Sequence, residues 1–336
     1  MSLSPARAQS LIASFKDYRI AVIGDVMLDR YIWGSASRIS QEAPVPVVAV
    51  DRETSAPGGA ANVMHNLAAL GARALAFAVV GADLAGATLT DELAALGVDT
   101  GGIVVEESRP TTQKTRLIAA GQQVARIDRE VSTDIADASR DRLLDAMRSA
   151  ISSEGVSAII VEDYAKGVVT ADMLDAIVAR GRSANTPVAL DPHPAHHYAV
   201  NGLTLMTPNR AEALALAGIY DRGRAAAPAE DVPLLEAVAR IREAWQPKQL
   251  LVTLGAHGMA LFLDDGAMHH VPTRAREVFD VSGAGETVIA TFTLALCAGA
   301  SPEEACELSN RAAGVVVGKV GTAPIHAVEL LDAFAS

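Results

Sequence analysis

A chain of 336 residues is long enough to bury a full α/β core, and its only cysteines, Cys297 and Cys306, are too few for a disulfide framework or a cysteine-rich zinc site. The net charge of −12, from 28 Lys and Arg against 40 Asp and Glu, argues against general affinity for nucleic acid or an anionic membrane surface. With aromatic residues at 4% there is little to stack on bases, so any phosphate this chain binds must be gripped by local donors.

At the N-terminus, Ser4-Pro5 followed by Leu11, Ile12 and Phe15 predicts a capped amphipathic helix and lacks the unbroken apolar core of a signal peptide. A cytoplasmic protein is expected. Short β-rich runs then alternate with helical patterns, the strand candidates being 19–24, 74–80, 158–161, 188–190, 204–206, 250–254 and 259–263. This alternation predicts an α/β fold, one domain over 1–336 with a mostly parallel central sheet and helices on both faces. Ligands of such sheets sit beyond the carboxyl ends of the strands. Polar groups gather at those ends: Gly24-Asp25, Glu162-Asp163, Asp191-Pro192-His193, Asn209 and Thr253-Leu254-Gly255.

Two segments, 31–50 and 111–129, break the alternation by mixing Val, Ile and Thr with polar residues. They read as a small extra sheet, a β lid whose exposed edges suit pairing with a second copy, or else as surface hairpins. The stretch 221–231, with its Gly, Ala and Pro, reads as the loosest loop. The cluster His193, His196 and His197 offers metal-ligand chemistry, but two Pro residues and no nearby carboxylate beyond Asp191 favour a solvated loop.

The most informative block is Asp280-Val281-Ser282-Gly283-Ala284-Gly285-Glu286-Thr287, which opens an apolar run ending near Ala300. That run is shorter than the ~20 residues of a membrane span and reads as a buried helix, with the two cysteines as reduced core thiols. A glycine turn feeding a helix start is an anion site, because free N–H groups and the helix dipole put positive potential there. Glu286 follows at once, where a carboxylate can accept a hydroxyl proton beside a phosphate, as the working end of a sugar kinase requires. The plainer reading is a tight connection with Glu286 compensating the dipole.

Four motifs now fall into one order: Gly24-Asp25 with Leu28-Asp29, Pro57-Gly58-Gly59-Ala60-Ala61-Asn62, Thr207-Pro208-Asn209 with Glu212, and the block at 280–287. In order and spacing they resemble the ribokinase, or phosphofructokinase-B, family of carbohydrate kinases over nearly the whole chain. Asp29-Arg30-Tyr31, the stretch 38–47, Asp163-Tyr164-Ala165-Lys166-Gly167 and the stretch 312–319 look most like the D-glycero-β-D-manno-heptose 7-phosphate kinases of lipopolysaccharide precursor synthesis. Some relatives carry a fused nucleotidyltransferase domain; the kinase domain alone is expected here.

The resemblance implies a ribokinase-like fold and ATP-dependent transfer to a sugar hydroxyl, O1 for the heptose. It implies that Asp25, Gly58, Gly59 and Asn62 bind the sugar, while Lys114, Arg116 and Arg126 on the lid hold a substrate phosphate. Asn209 and Glu212 would organise Mg2+ and its waters; Thr253, Gly255 and Gly258 would flank the nucleotide, with Asn310 and Gly314 near the adenine. The amides of Gly283, Ala284 and Gly285 would bind the transferring oxygens, with Glu286 as base. A monovalent cation such as K+ would lie near Asp280 and Ser282, and the lid would join a homodimer. The chain departs from the pattern at Glu286, where Asp is usual, and at His193, where the heptose kinases carry Lys; Glu162 is a milder departure. A kinase for another sugar or nucleoside, or a catalytically impaired binding protein, therefore stands beside the heptose reading.

Overall fold

The computed structural model describes residues 3–153, 155–274 and 279–335. The chain opens with α1 (Pro5–Ser14), whose cap is the one expected: Ser4 Oγ accepts from the Arg7 amide at 3.3 Å and Pro5 starts the first turn. There follow β1 (Arg19–Gly24), β2 (Val26–Ile39), β3 (Pro46–Gly59), α2 (Ala60–Ala69), β4 (Arg73–Gly81), α3 (Leu84–Ala95), β5 (Asp99–Glu106), β6 (Gln113–Ala119) and β7 (Gln122–Arg129). The middle of the chain holds α4 (Asp137–Ser153), β8 (Ala158–Glu162), α5 (Ala171–Ala184), β9 (Val188–Asp191), β10 (Leu205–Met206), α6 (Arg210–Leu216) and α7 (Val232–Trp245). Last come β11 (Gln249–Thr253), β12 (Met259–Leu263), β13 (Met268–Val271), α8 (Ala284–Cys297), α9 (Pro302–Val316) and α10 (Ala327–Ala335).

The large sheet has the order β13-β12-β11-β10-β9-β8-β1-β4-β5 and is parallel from β11 to β5, with β12 and β13 antiparallel at one edge. Strands buried on both faces must be apolar at successive positions, and β1 shows the division of labour. Ile20 and Val22 face a core shared with α1, α2, α8 and α9, whereas Ala21 and Ile23 face one shared with α4, α5 and α7. The expected strands are all present. Two edge strands, β5 and β13, escaped the periodicity reading: β5 contains Gly101-Gly102, and β13 is only four residues long.

The small sheet has the order β3-β2-β6-β7. Its β2–β3 hairpin runs from Val26↔Gly59 out to Ile39↔Pro46, and the parallel pairing of β2 with β6 joins both segments into one lid, so they are not separate hairpins. The strands reach further inward than 31–50, and β3 runs directly into α2 instead of ending in a loop. The stretch 221–231, read as the loosest loop, is instead tied down. Buried Arg210 donates to Asp231 at 2.8 and 3.1 Å, to Asp221 at 2.8 and 3.2 Å, and to the Gly223 carbonyl at 3.0 Å. Among the described residues no helix is long and apolar enough to cross a membrane.

Candidate active site

The polar strand ends become neighbours because β11, β10, β9, β8 and β1 lie side by side and parallel. Gly24 pairs with Glu162, and Glu162 with Asp191, while Asn209, just beyond β10, bridges to Thr253 at the end of β11. Side chains alternate along a strand, so Glu162 follows Ala158 and Ile160 onto the face covered by α8. A cleft of about 700 Å³ opens over this edge. Its walls include Asn209, Glu212, Thr253, Gly255, Gly258, Asn310 and Gly314, together with Ala284, Gly285 and Glu286 at the start of α8. Residues more than 100 positions apart thus meet along one surface. Asp191, Thr207 and Tyr164 also line it and had been assigned no role; the strand-end position of Asp191 and the aromatic ring set among polar residues at 163–167 were the available signals.

The turn before α8 depends on glycine. Gly283 has φ 84°, and a Cβ there would lie 2.8 Å from Asn62 Nδ2, so only glycine lets α2 and α8 approach this closely. The two helices are also bonded: Thr287 Oγ1 donates to Asn66 Oδ1 at 3.0 Å, and Asn66 Nδ2 donates to the Asn62 carbonyl at 2.9 Å. Asn62 is fully buried, and its Nδ2 has no acceptor among the described residues. The Ala284 amide reaches Val281 O at 3.3 Å, a long contact, and Gly285 and Glu286 stand in the first turn, where a helix supplies its amides no carbonyl of its own.

Four carboxyl groups crowd the edge. Glu162, Asp191 and Glu286 are each pushed above the usual carboxylate range, first by burial; Asp191 and Glu286 add to the rise at Glu162, Glu212 and Glu286 to that at Asp191, and Asp29 to that at Glu286, while Glu212 is raised by burial and by Glu286. Neither oxygen of Glu162 has a hydrogen-bond donor among the described residues, so this side chain keeps its proton. Glu286 is held differently, its Oε1 accepting from the Tyr164 hydroxyl at 2.7 Å. Hard oxygen ligands facing a cleft, with their charges mutually repelled, fit a divalent cation. Among the described residues no three His, Cys, Asp or Glu side chains make a metal cage by themselves. Asn209 and Glu212 form a capping box: Asn209 Oδ1 accepts from the Glu212 amide at 3.0 Å and Glu212 Oε2 from the Asn209 amide at 2.8 Å.

The residues expected to hold the sugar lie at the root of the lid. Asp25 is buried, and its carboxylate accepts from three backbone amides, those of Tyr164 (2.9 Å), Lys166 (3.0 Å) and Val168 (3.1 Å). About one lone pair is left for a substrate hydroxyl. Gly58 and Gly59 end β3 where α2 begins, with Gly59 as its N-cap. Lys114 Nζ stands 5.6 Å from the Tyr164 ring centroid. Arg116 donates to Asp29 at 2.5 Å, while Arg126, on the fully exposed β7, pairs with Asp128 at 2.9 Å. Asp280 Oδ1 accepts from the Ser282 amide at 2.9 Å and Oδ2 from the Gly321 amide at 3.1 Å, which shapes the loop before the glycine turn. His196 Nδ1 lies 2.7 Å from Asp163 Oδ2, so a carboxylate other than Asp191 does serve the histidine loop. His193 is held below its ordinary pKa by burial and by its neighbours His196 and Lys166, so it stays uncharged near neutral pH.

The pfkB family carbohydrate kinase model matches residues 17–327. The chain belongs to that family. It is 43% identical over 323 residues to the bifunctional protein HldE of Geobacter metallireducens and 44% identical over 315 residues to that of Azorhizobium caulinodans, covering 96% and 93% of this chain. The chain spans 64% and 63% of the length of those two relatives. Among solved structures, phosphofructokinase-2 from Escherichia coli in complex with substrates and products superposes with a TM-score of 0.75 at 18% identity, covering 95% of this chain and 98% of that one. Arabidopsis thaliana ribokinase complexed with ribose and ATP gives 0.72 at 19% identity, covering 94% and 98%. The chain therefore has the ribokinase-like fold.

Proposed function

We propose that the chain transfers the γ-phosphoryl group of ATP to a sugar hydroxyl, O1 of D-glycero-β-D-manno-heptose 7-phosphate, as one catalytic domain with a β lid. The observation that carries this reading is the buried Glu286 carboxylate, fixed at the start of α8 between the cleft and the lid root. In this role Glu286 takes the hydroxyl proton as the sugar oxygen bonds to phosphorus and the bond to the nucleoside diphosphate oxygen breaks. The amides of Gly283, Ala284 and Gly285 offset charge on the transferring oxygens, where most of the stabilisation of a loose transition state is needed. Asn62, with its unpaired Nδ2, binds a sugar hydroxyl beside Asp25, Gly58 and Gly59; Lys114, Arg116 and Arg126 face the substrate phosphate. Thr253, Gly255, Gly258, Asn310 and Gly314 hold the nucleotide. Asn209 and Glu212 would hold hydrated Mg2+, whose chemistry is to neutralise triphosphate charge, and Asp280 and Ser282 would adjoin K+. Exposed Ile39 and Ile127 (63% and 61%) on the lid support pairing with a second copy.

One observation favours a second reading, a kinase for an unphosphorylated sugar: Arg116 and Arg126 are already paired with Asp29 and Asp128. A coupled assay of ADP release over sugars and sugar phosphates separates the two. The heptose 7-phosphate is expected to be turned over, and Glu286→Ala to lower kcat by ~10²–10⁴-fold. Wild-type turnover in Glu286→Ala, or ADP release with no substrate on the panel, refutes the proposal.

A further inference from the structure

We infer that Tyr164 is the positioning residue for Glu286, its phenol holding one carboxylate oxygen so that the other meets the sugar hydroxyl. The inference rests on the kinase reading above and deepens it. Glutamate is one methylene longer than aspartate, and its last torsion is broad, so an unrestrained Glu286 would spread its carboxylate over positions an aspartate cannot reach. Misplacement on the order of 1 Å costs ~100-fold in rate. Some fixed partner must narrow that spread, and the Tyr164 hydroxyl, donating to Oε1 at 2.7 Å, is such a partner.

The phenol has a fixed position because its loop is over-determined. Asp25 accepts from the amides of Tyr164, Lys166 and Val168. Asp163 Oδ1 accepts from the Ala165 amide at 2.8 Å, and its other oxygen is engaged by His196 at 2.7 Å. Between these anchors Ala165 sits at φ 53°, a left-handed conformation that a residue with a side chain keeps only when its surroundings insist. The Tyr164 ring is wedged between Gly59, where an added Cβ would lie 3.4 Å from Cε2, and the Lys114 ammonium, 5.6 Å from its centroid. Burial and the nearby Glu286 hold the phenol far above its ordinary pKa, so it stays a donor and takes no proton from the substrate. The proton from the sugar passes to the other oxygen of Glu286.

The test is Tyr164→Phe, which keeps the ring and removes the hydroxyl. Its kcat is expected to fall by roughly 10–100-fold with the sugar KM within about 2-fold, and the acid limb of the pH–rate profile to move to higher pH, because the ionised carboxylate loses a donor. In a Glu286→Asp background the shorter side chain, retracted by about 1.5 Å, no longer reaches the phenol, so Tyr164→Phe is expected to cost less than about 3-fold. An equal loss in both backgrounds overturns the inference. A readout without turnover is the thermal midpoint, expected to fall by about 2 °C more at pH 8 than at pH 4, which lies below the ordinary 4.5 of a glutamate and further below the raised value of Glu286; an equal fall at both overturns it. Glu286→Ala keeps the two readings apart. If that variant is as active as wild type, the base assignment fails; if it is silent while Tyr164→Phe matches wild type in kcat and pH profile, only the role of Tyr164 fails.

Discussion

Gly283→Ala tests the glycine turn most directly. The added Cβ would lie 2.8 Å from Asn62 Nδ2 against an ordinary contact of at least 3.4 Å, so something must move by 3.4 − 2.8, or 0.6 Å. Asn62 cannot yield easily, because it is fully buried on α2 and its Oδ1 lies 3.3 Å from Asn66 Nδ2. The first turn of α8 therefore shifts and carries Glu286 with it. At ~100-fold per 1 Å of misplacement, 0.6 Å costs on the order of 10-fold in kcat. The left-handed φ of 84° adds roughly 1 kcal/mol for alanine, and overpacking adds about 1–2 more. A total of roughly 2–3 kcal/mol lowers the thermal midpoint of a chain this long by about 3–4 °C. Initial rates by coupled ADP release and melting by circular dichroism read both effects. A kcat within 2-fold of wild type and a midpoint within about 1 °C would refute the claim that α2 and α8 meet through this glycine.

Two further predictions concern charge. The folded-state pKa of Glu162 is raised, so the folded chain binds a proton that the unfolded chain releases above its ordinary value of 4.5, and stability falls as pH rises from there. Glu162→Gln is expected to flatten the dependence of the thermal midpoint between pH 5 and pH 8, and parallel curves for the two proteins would show that Glu162 does not hold its proton. Arg210→Met leaves buried Asp231 without its cation and is expected to cost roughly 3–5 kcal/mol in urea unfolding. A loss below about 1 kcal/mol would mean that the five-bond anchor of 221–231 carries little.

How much of this was legible in the sequence follows from the range over which each feature is decided. Strands β1, β8 and β12 show as unbroken apolar runs because both faces of the sheet are covered, and the α1 cap and the Gly59 and Gly283 turns are local backbone matters. Motif order and spacing likewise exposed the family and half of the residues that line the cleft. Edge strands were lost because half-exposed segments such as β5 carry a broken pattern. The partnerships at the site could not be read, since they arise from strand order. Glu162 and Asp191 become neighbours only when β8 pairs with β9, and Tyr164 reaches Glu286 across 122 positions only when α8 crosses the strand ends. Sequence by itself determined which residues sit at strand ends and helix starts, because backbone propensity and hydrophobic period act over a few residues. Tertiary structure alone decided which carboxyl keeps its proton, which arginines are already paired and which hydroxyl holds Glu286. Burial and mutual approach set those states, and neither exists until the sheet has closed its order and the helices have packed upon it.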